Sequence, residues 1–156
     1  MKKVIYAFMI VFLGCTAKET TESDMGEGKT IKSVPIDITG TWANLSLKVD
    51  IGSDPDSVVD VPAGEWENVL QIKPIVTTFR KDSTFVSEYR NLGDSLFMTS
   101  SGVWWMQGDS LFMEEQGVMN SYFVELSTDT ATFTAYLDWD QDGDADDLYS
   151  GMQIRK

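Results

Sequence analysis

From Ile36 to the end of the chain, apolar, aromatic and β-branched runs alternate with short Gly/Asp/Ser punctuation about every dozen residues. That texture predicts an all-β domain with strands over 40–49, 67–79, 84–90, 95–99, 102–106, 110–115, 118–126, 131–138 and 147–155, and no amphipathic helix. Side chains leave a strand on opposite sides in turn. Ala43, Leu45, Leu47 and Val49 are therefore expected on one face of the first strand. Phe133, Ala135 and Leu137 share a face of the eighth, with Thr132, Thr134 and Tyr136 on the other. Lys81-Asp82-Ser83, Gly93-Asp94-Ser95, Gly108-Asp109-Ser110 and Thr128-Asp129-Thr130 read as tight turns, because Asp and Gly accept the backbone conformations such turns require. The hexapeptide Gly-Asp-Ser-Leu-Phe-Met occurs at 93–98 and again at 108–113, which predicts two similar hairpin edges. Eight or nine successive antiparallel strands joined by short turns favour an up-and-down β-barrel, since closure removes exposed edges.

The N-terminus has a different pattern. Met1, Lys2 and Lys3 form a short positive segment, and Val4 to Leu13 is a run of ten apolar residues. As a helix that run spans about 15 Å, half of a hydrocarbon core, so it fits a signal peptide and not a membrane span. Gly14-Cys15 follows at once, with Phe12 and Leu13 before it. This resembles the lipobox of bacterial lipoproteins (Leu, a small or branched residue, Gly or Ala, then Cys). The resemblance implies cleavage before Cys15, a lipid on its sulfur, and an anchor in a bacterial cell envelope. The expected destination is the outer membrane, on its periplasmic side or at the cell surface. Cys15 is the one cysteine in the chain, so no internal disulfide is available. The expected organisation is a signal peptide over 1–14, an acylated Cys and polar tether over 15–37, and a barrel domain over 38–156.

Charge and composition narrow the function. The chain carries 12 Lys+Arg and 25 Asp+Glu; without Lys2 and Lys3 the balance is 10 against 25, a sum of −15. Such a chain is repelled by nucleic-acid phosphates, so no nucleic-acid partner is expected. There is no histidine, which removes Ser-His-Asp and Cys-His catalysis and histidine zinc sites. Glu114 and Glu115 are adjacent on a strand and point apart, which argues against a paired-carboxylate glycosidase. The expectation is a protein that is not an enzyme.

Gly40-Thr41-Trp42 opens the first strand, and Arg155-Lys156 follows the last. These resemble the Gly-x-Trp signature and the C-terminal basic residue of lipocalins. Phe79-Arg80-Lys81-Asp82-Ser83-Thr84-Phe85 is similar to a hairpin common in lipocalin-like lipoproteins of Gram-negative bacteria. The resemblance covers residues 38–156 and implies that Arg155 packs across Trp42 to close the barrel base. Trp42 has the opposite parity from Leu45 and Leu47, so burying both needs a twist or a bulge.

Three local features are candidate sites. Asp138, Asp140, Asp142 and Asp146 lie at positions 1, 3, 5 and 9 of a calcium-type loop, with Gly143 at position 6 and Asp144 at the backbone-carbonyl position. Position 12 is Tyr149, and Asp147 is the nearest carboxylate that can complete the shell. The alternative is an exposed acidic hairpin tip without an ion, so calcium is a possible rather than a required cofactor. The long stretch from Asp50 to Trp66 is either a lid over the barrel mouth or a solvated acidic loop. In Val103-Trp104-Trp105-Met106, one indole is expected inside and one outside. The reading that results is a lipid-anchored, lipocalin-like module that binds a small apolar or amphipathic molecule. The alternative is a solid barrel that meets a basic partner through its acidic surface.

Overall fold

The computed structural model describes residues 37–52 and 57–156. The signal segment, Cys15, the tether to residue 36 and positions 53–56 lie outside the described residues. The strands are β1 (Gly40–Asp50), β2 (Val58–Val61), β3 (Val76–Phe79), β4 (Thr84–Arg90), β5 (Leu96–Gln107), β6 (Ser110–Glu115), β7 (Val118–Leu126), β8 (Thr130–Leu137) and β9 (Asp147–Arg155). One short helix, α1, spans Trp66–Leu70.

Strands β3 to β9 pair antiparallel in chain order, and β1 lies between β3 and β9. This closes an eight-stranded up-and-down barrel, as the pattern of the chain predicts. β2 is the ninth strand. It pairs with Leu47–Asp50 on the edge of β1 whose first half, Gly40–Ala43, pairs with β3.

The first strand departs from simple alternation. The β1–β9 register shifts between Asn44 and Ser46, which makes Leu45 the extra residue of a bulge. Trp42 and Asn44 face inward before it, and Leu47 and Val49 face inward after it. The single face expected for Ala43, Leu45, Leu47 and Val49 is thus split. The bulge is what lets Trp42 and Leu47 both be buried.

Two further boundaries differ. The strand expected over 67–79 is the helix α1 followed by a short strand at Val76–Phe79. Pro62-Ala63-Gly64 makes a turn, with the Glu65 N–H donating to the Pro62 carbonyl at 3.0 Å. Trp66 is then buried against Leu47, Val49, Ile51 and Val61. Gln71 takes a left-handed conformation that ends the helix, and Pro74 offers no N–H to a ladder. The separate strands expected over 95–99 and 102–106 are one strand. Ser100, Ser101 and Gly102 stay in register with Ser87, Val86 and Phe85.

The closed end, or base, is a cluster of Ile38, Trp42, Phe79, Phe85, Leu111, Val124, Ala131 and Phe133. The β3–β4, β5–β6 and β7–β8 turns gather there. In the first, Ser83 takes a left-handed φ of 64° and the Asp82 carboxylate accepts from the Thr84 N–H and hydroxyl at 3.1 and 2.6 Å. The β4–β5, β6–β7 and β8–β9 connections gather at the opposite end, the mouth. The two copies of the hexapeptide therefore sit at opposite ends. Leu111 is buried in the base, whereas Leu96 near the mouth is exposed.

Candidate functional site

Above the base the barrel is hollow. A cavity of about 380 Å³ runs from Phe79, Phe85 and Phe133 at the bottom to Trp66, Leu70 and Ile75 at the top. That size lies in the lower part of the range for small-molecule sites, about 300–1,000 Å³. Met113, Tyr122 and Tyr149 form part of the wall. Tyr122 meets Phe133 and Tyr149 edge-on, with ring centroids 6.4 and 6.1 Å apart. Gly151 makes room for this wall: a Cβ there would run into the Tyr149 ring and hydroxyl.

The polar lining comes from inward positions of the same strands. Thr77 and Ser87 share a hydrogen bond at 2.8 Å. The Ser100 hydroxyl donates to Glu115 Oε2 at 2.5 Å. Burial pushes the Tyr122 phenol up to about 12, raises Tyr149 further, and raises Tyr89, so all three remain neutral at physiological pH. Gln153 Oε1 is buried without a donor. Trp66 Nε1 is buried without an acceptor, among the aliphatic side chains under α1. Among the described residues, no Lys, Arg or Asp lines the cavity, and Glu115 is its one carboxylate.

The base is held by the two residues the sequence singles out. Trp42 is wholly buried and its Nε1 donates to the Ile38 carbonyl at 2.7 Å. The Arg155 guanidinium lies 4.2 Å from the Trp42 ring centroid, and its Nη1 donates to the Thr39 carbonyl at 2.9 Å. Trp104 points inward, donating from Nε1 to the Thr84 carbonyl at 3.0 Å and meeting Phe79 edge-on. Trp105 points outward and stacks on Phe112 with centroids 5.4 Å apart.

The acidic β8–β9 hairpin stands at the mouth. Carboxylate oxygens of Asp138, Asp140 and Asp142 lie within 4.8 Å of one another, all three exposed. The loop is shaped by its own acids. Asp140 Oδ1 accepts from the Asp142 N–H at 3.1 Å, and Asp142 Oδ1 accepts from the Asp144 N–H at 2.9 Å. Gly143 at φ 106° supplies the turn. The carboxyl groups of Asp144 and Asp146 are not in the converging group. Asp146 sits against Gly52, where a Cβ would run into its carboxyl. Burial, then the negative charges of Asp142, Asp147 and Asp144, raise the Asp146 carboxyl above its ordinary value.

Asp147 does not face the trio as a spare ligand. It is wholly buried, and both oxygens accept backbone N–H groups: Gly52 at 2.9 Å, Trp139 at 2.6 Å and Asp140 at 3.1 Å. These bonds, the one from Gly52 foremost, hold its carboxyl below the usual carboxylate range against the opposing effect of burial. Asp147 thereby ties the β8–β9 hairpin to the end of β1. Trp139 from the hairpin stacks on Tyr149 of the cavity wall, with centroids 6.0 Å apart. The long Asp50–Trp66 stretch forms β2 and delivers Trp66 to the top of the cavity.

Sequence reasoning does not single out Tyr89, Ser100 or Gln153, and it weighs Glu115 only as the neighbour of Glu114. The available signal was parity on β6. Leu111, Met113 and Glu115 share the inward face, while Glu114 is exposed. No protein-family model matches the chain, and no curated protein matches its sequence.

Proposed function

We propose that this chain is a lipid-anchored envelope protein whose barrel is a non-catalytic, lipocalin-like binding module for a small amphipathic molecule. The observation that carries this reading is the cavity of about 380 Å³ inside a closed barrel, with an aromatic lower part and a few fixed polar groups. A filled barrel that works through its outer acidic surface has no use for such a space. The described chain begins at the base, where Arg155 Nη2 lies 3.5 Å from the Asp37 carbonyl. The absence of histidine supports a binding role over hydrolysis.

Native mass spectrometry of residues 16–156, incubated with an extract of the source envelope, tests the reading. A discrete small-molecule adduct, lost when Phe133→Trp fills the lower cavity, is the expected result. A bare mass under the same conditions would move the assignment to the solid-barrel interaction protein.

The convergence of Asp138, Asp140 and Asp142 favours a structural calcium ion as an accessory to this module. The ion would order the hairpin that presents Trp139 to Tyr149. With exposed ligands, the expected dissociation constant is about 10⁻⁴–10⁻³ M. Millimolar calcium should raise Tm by a few degrees, and Asp142→Asn should abolish that rise. An unchanged Tm up to 10 mM calcium (roughly ten times the weakest expected constant) would rule the ion out.

A further inference from the structure

We propose that the cavity selects an amphipathic cation, a molecule with a compact aromatic or aliphatic body and one ammonium-type group held at Glu115. The inference rests on the binding-module reading and adds the charge of the ligand to it.

The lining of the cavity carries few titratable groups. Its titratable side chains among the described residues are Tyr89, Glu115, Tyr122 and Tyr149. The three phenols are neutral at pH 7, since their ordinary value is near 10 and burial raises it further, and Glu115 is the one carboxyl group in the lining. An anionic head group would enter beside that carboxylate with no Lys or Arg to meet it. At this half-buried position such like-charge contact is unfavourable, and the opposite pairing correspondingly favourable.

Glu115 closes β6 at the mouth end and lines both the cavity and the shallow groove it shares with Gln116, Val118 and Asn120. Its sole protein donor among the described residues is the neutral Ser100 hydroxyl on Oε2, and it has no cationic partner there. A carboxylate facing an aromatic cavity without a counter-charge is a site for an incoming cation. Ser100 fixes one oxygen and leaves the other free to accept an N⁺–H.

Glu115 lies at the top and the rings of Phe79, Phe85 and Phe133 at the bottom, so a ligand with one charged end has a single favourable orientation. The aromatic faces tolerate a cation that passes over them, because their quadrupole is negative. The excess of acidic over basic side chains, 25 against 10 without Lys2 and Lys3, draws cations toward the protein before contact.

Three probes of one shape test the charge: 4-phenylbutylamine, 4-phenylbutanol and 4-phenylbutyrate, titrated at pH 7 into residues 16–156, which keep every strand of the barrel. Calorimetry is expected to show the amine binding at least about ten-fold more tightly than the carboxylate, with the alcohol between them. Glu115→Gln should bring the amine to the level of the alcohol and leave the alcohol unchanged. The comparison on the unaltered chain needs no variant, so a misfolded Glu115→Gln does not remove the test. Equal or tighter binding of the carboxylate, or an amine preference that survives Glu115→Gln, would overturn the charge inference and leave the binding module standing. Failure of all three probes, with a neutral or anionic adduct in the envelope extract, would do the same. Failure of all three together with a bare native mass would remove both readings.

Discussion

Trp42→Ala is expected to destabilise the barrel by about 3–5 kcal/mol, the range for truncating a fully buried large aromatic. For a domain of this size that corresponds to a fall in Tm of roughly 10–20 °C. Trp42 is wholly buried in the base among Ile38, Phe79, Phe85 and Leu111, so the substitution leaves a void that close-packed neighbours cannot fill. Two polar contacts go with the ring. The Ile38 carbonyl loses the indole N–H, and Arg155 loses the face it covers, a contact worth about 0.5–2 kcal/mol. Trp42→Phe keeps most of the packing and should fall well short of the alanine effect. Urea or thermal unfolding measures both. A loss below about 1 kcal/mol for Trp42→Ala would mean that this ring does not close the base.

Asp147→Ala is expected to detach the mouth connections from one another. Three backbone N–H groups, of Gly52, Trp139 and Asp140, lose their acceptor at once. Buried donors left unsatisfied are strongly destabilising, and a fall in Tm of about 5–10 °C is expected. The sharper readout is local. Hydrogen exchange at those three amides should speed up far more than exchange in β6 or β7, because the tie links only the hairpin and the end of β1.

The pH dependence has two opposed parts. The Asp147 carboxyl is lowered in the fold, so its contribution is fully present above the ordinary unfolded value, about 3.9, and is lost as pH falls through the lower folded value. The neighbouring Asp146 carboxyl is raised, so its charge opposes folding at neutral pH, and protonation relieves that strain as pH falls through its folded value. On acidification the hairpin should first tighten slightly and then, below about pH 4, loosen. Asp147→Ala should abolish the second step and leave a weaker first one, because burial and the charges of Asp142 and Asp144 still raise the Asp146 carboxyl. Loosening below pH 4 of equal size in the variant would show that other carboxylates govern the acid response.

Much of the architecture is written in the chain locally. Alternation along 131–137, the Asp- and Gly-bearing turns and the twelve-residue rhythm specify antiparallel strands, because each depends only on neighbouring residues and the two-residue period of a strand. The paired Trp104 and Trp105 divide between core and surface for the same reason. The 66–75 segment was not legible, since its apolar composition suits a strand. The burial of Trp66 under β1 and β2 selects one helical turn instead. Nor does composition distinguish Ser100-Ser101-Gly102 as a turn from the same residues inside a long strand. The ladder with β4 decides it.

The candidate site divides along the same line. The spacing of Asp138, Asp140 and Asp142 announces a converging acidic loop, because a short loop brings alternate side chains together whatever the rest of the fold does. Trp42 and Arg155 stand more than a hundred residues apart, and only the pairing of β1 with β9 brings them into contact. The cavity is likewise invisible in one dimension. Whether inward side chains fill a barrel or leave about 380 Å³ empty depends on how eight strands tilt and on which rings meet across them. The role of Asp147 was decided at that level too. Its sequence position suggests one more loop acid, and the tertiary structure turns it inward because three backbone N–H groups from two separate connections need one buried acceptor.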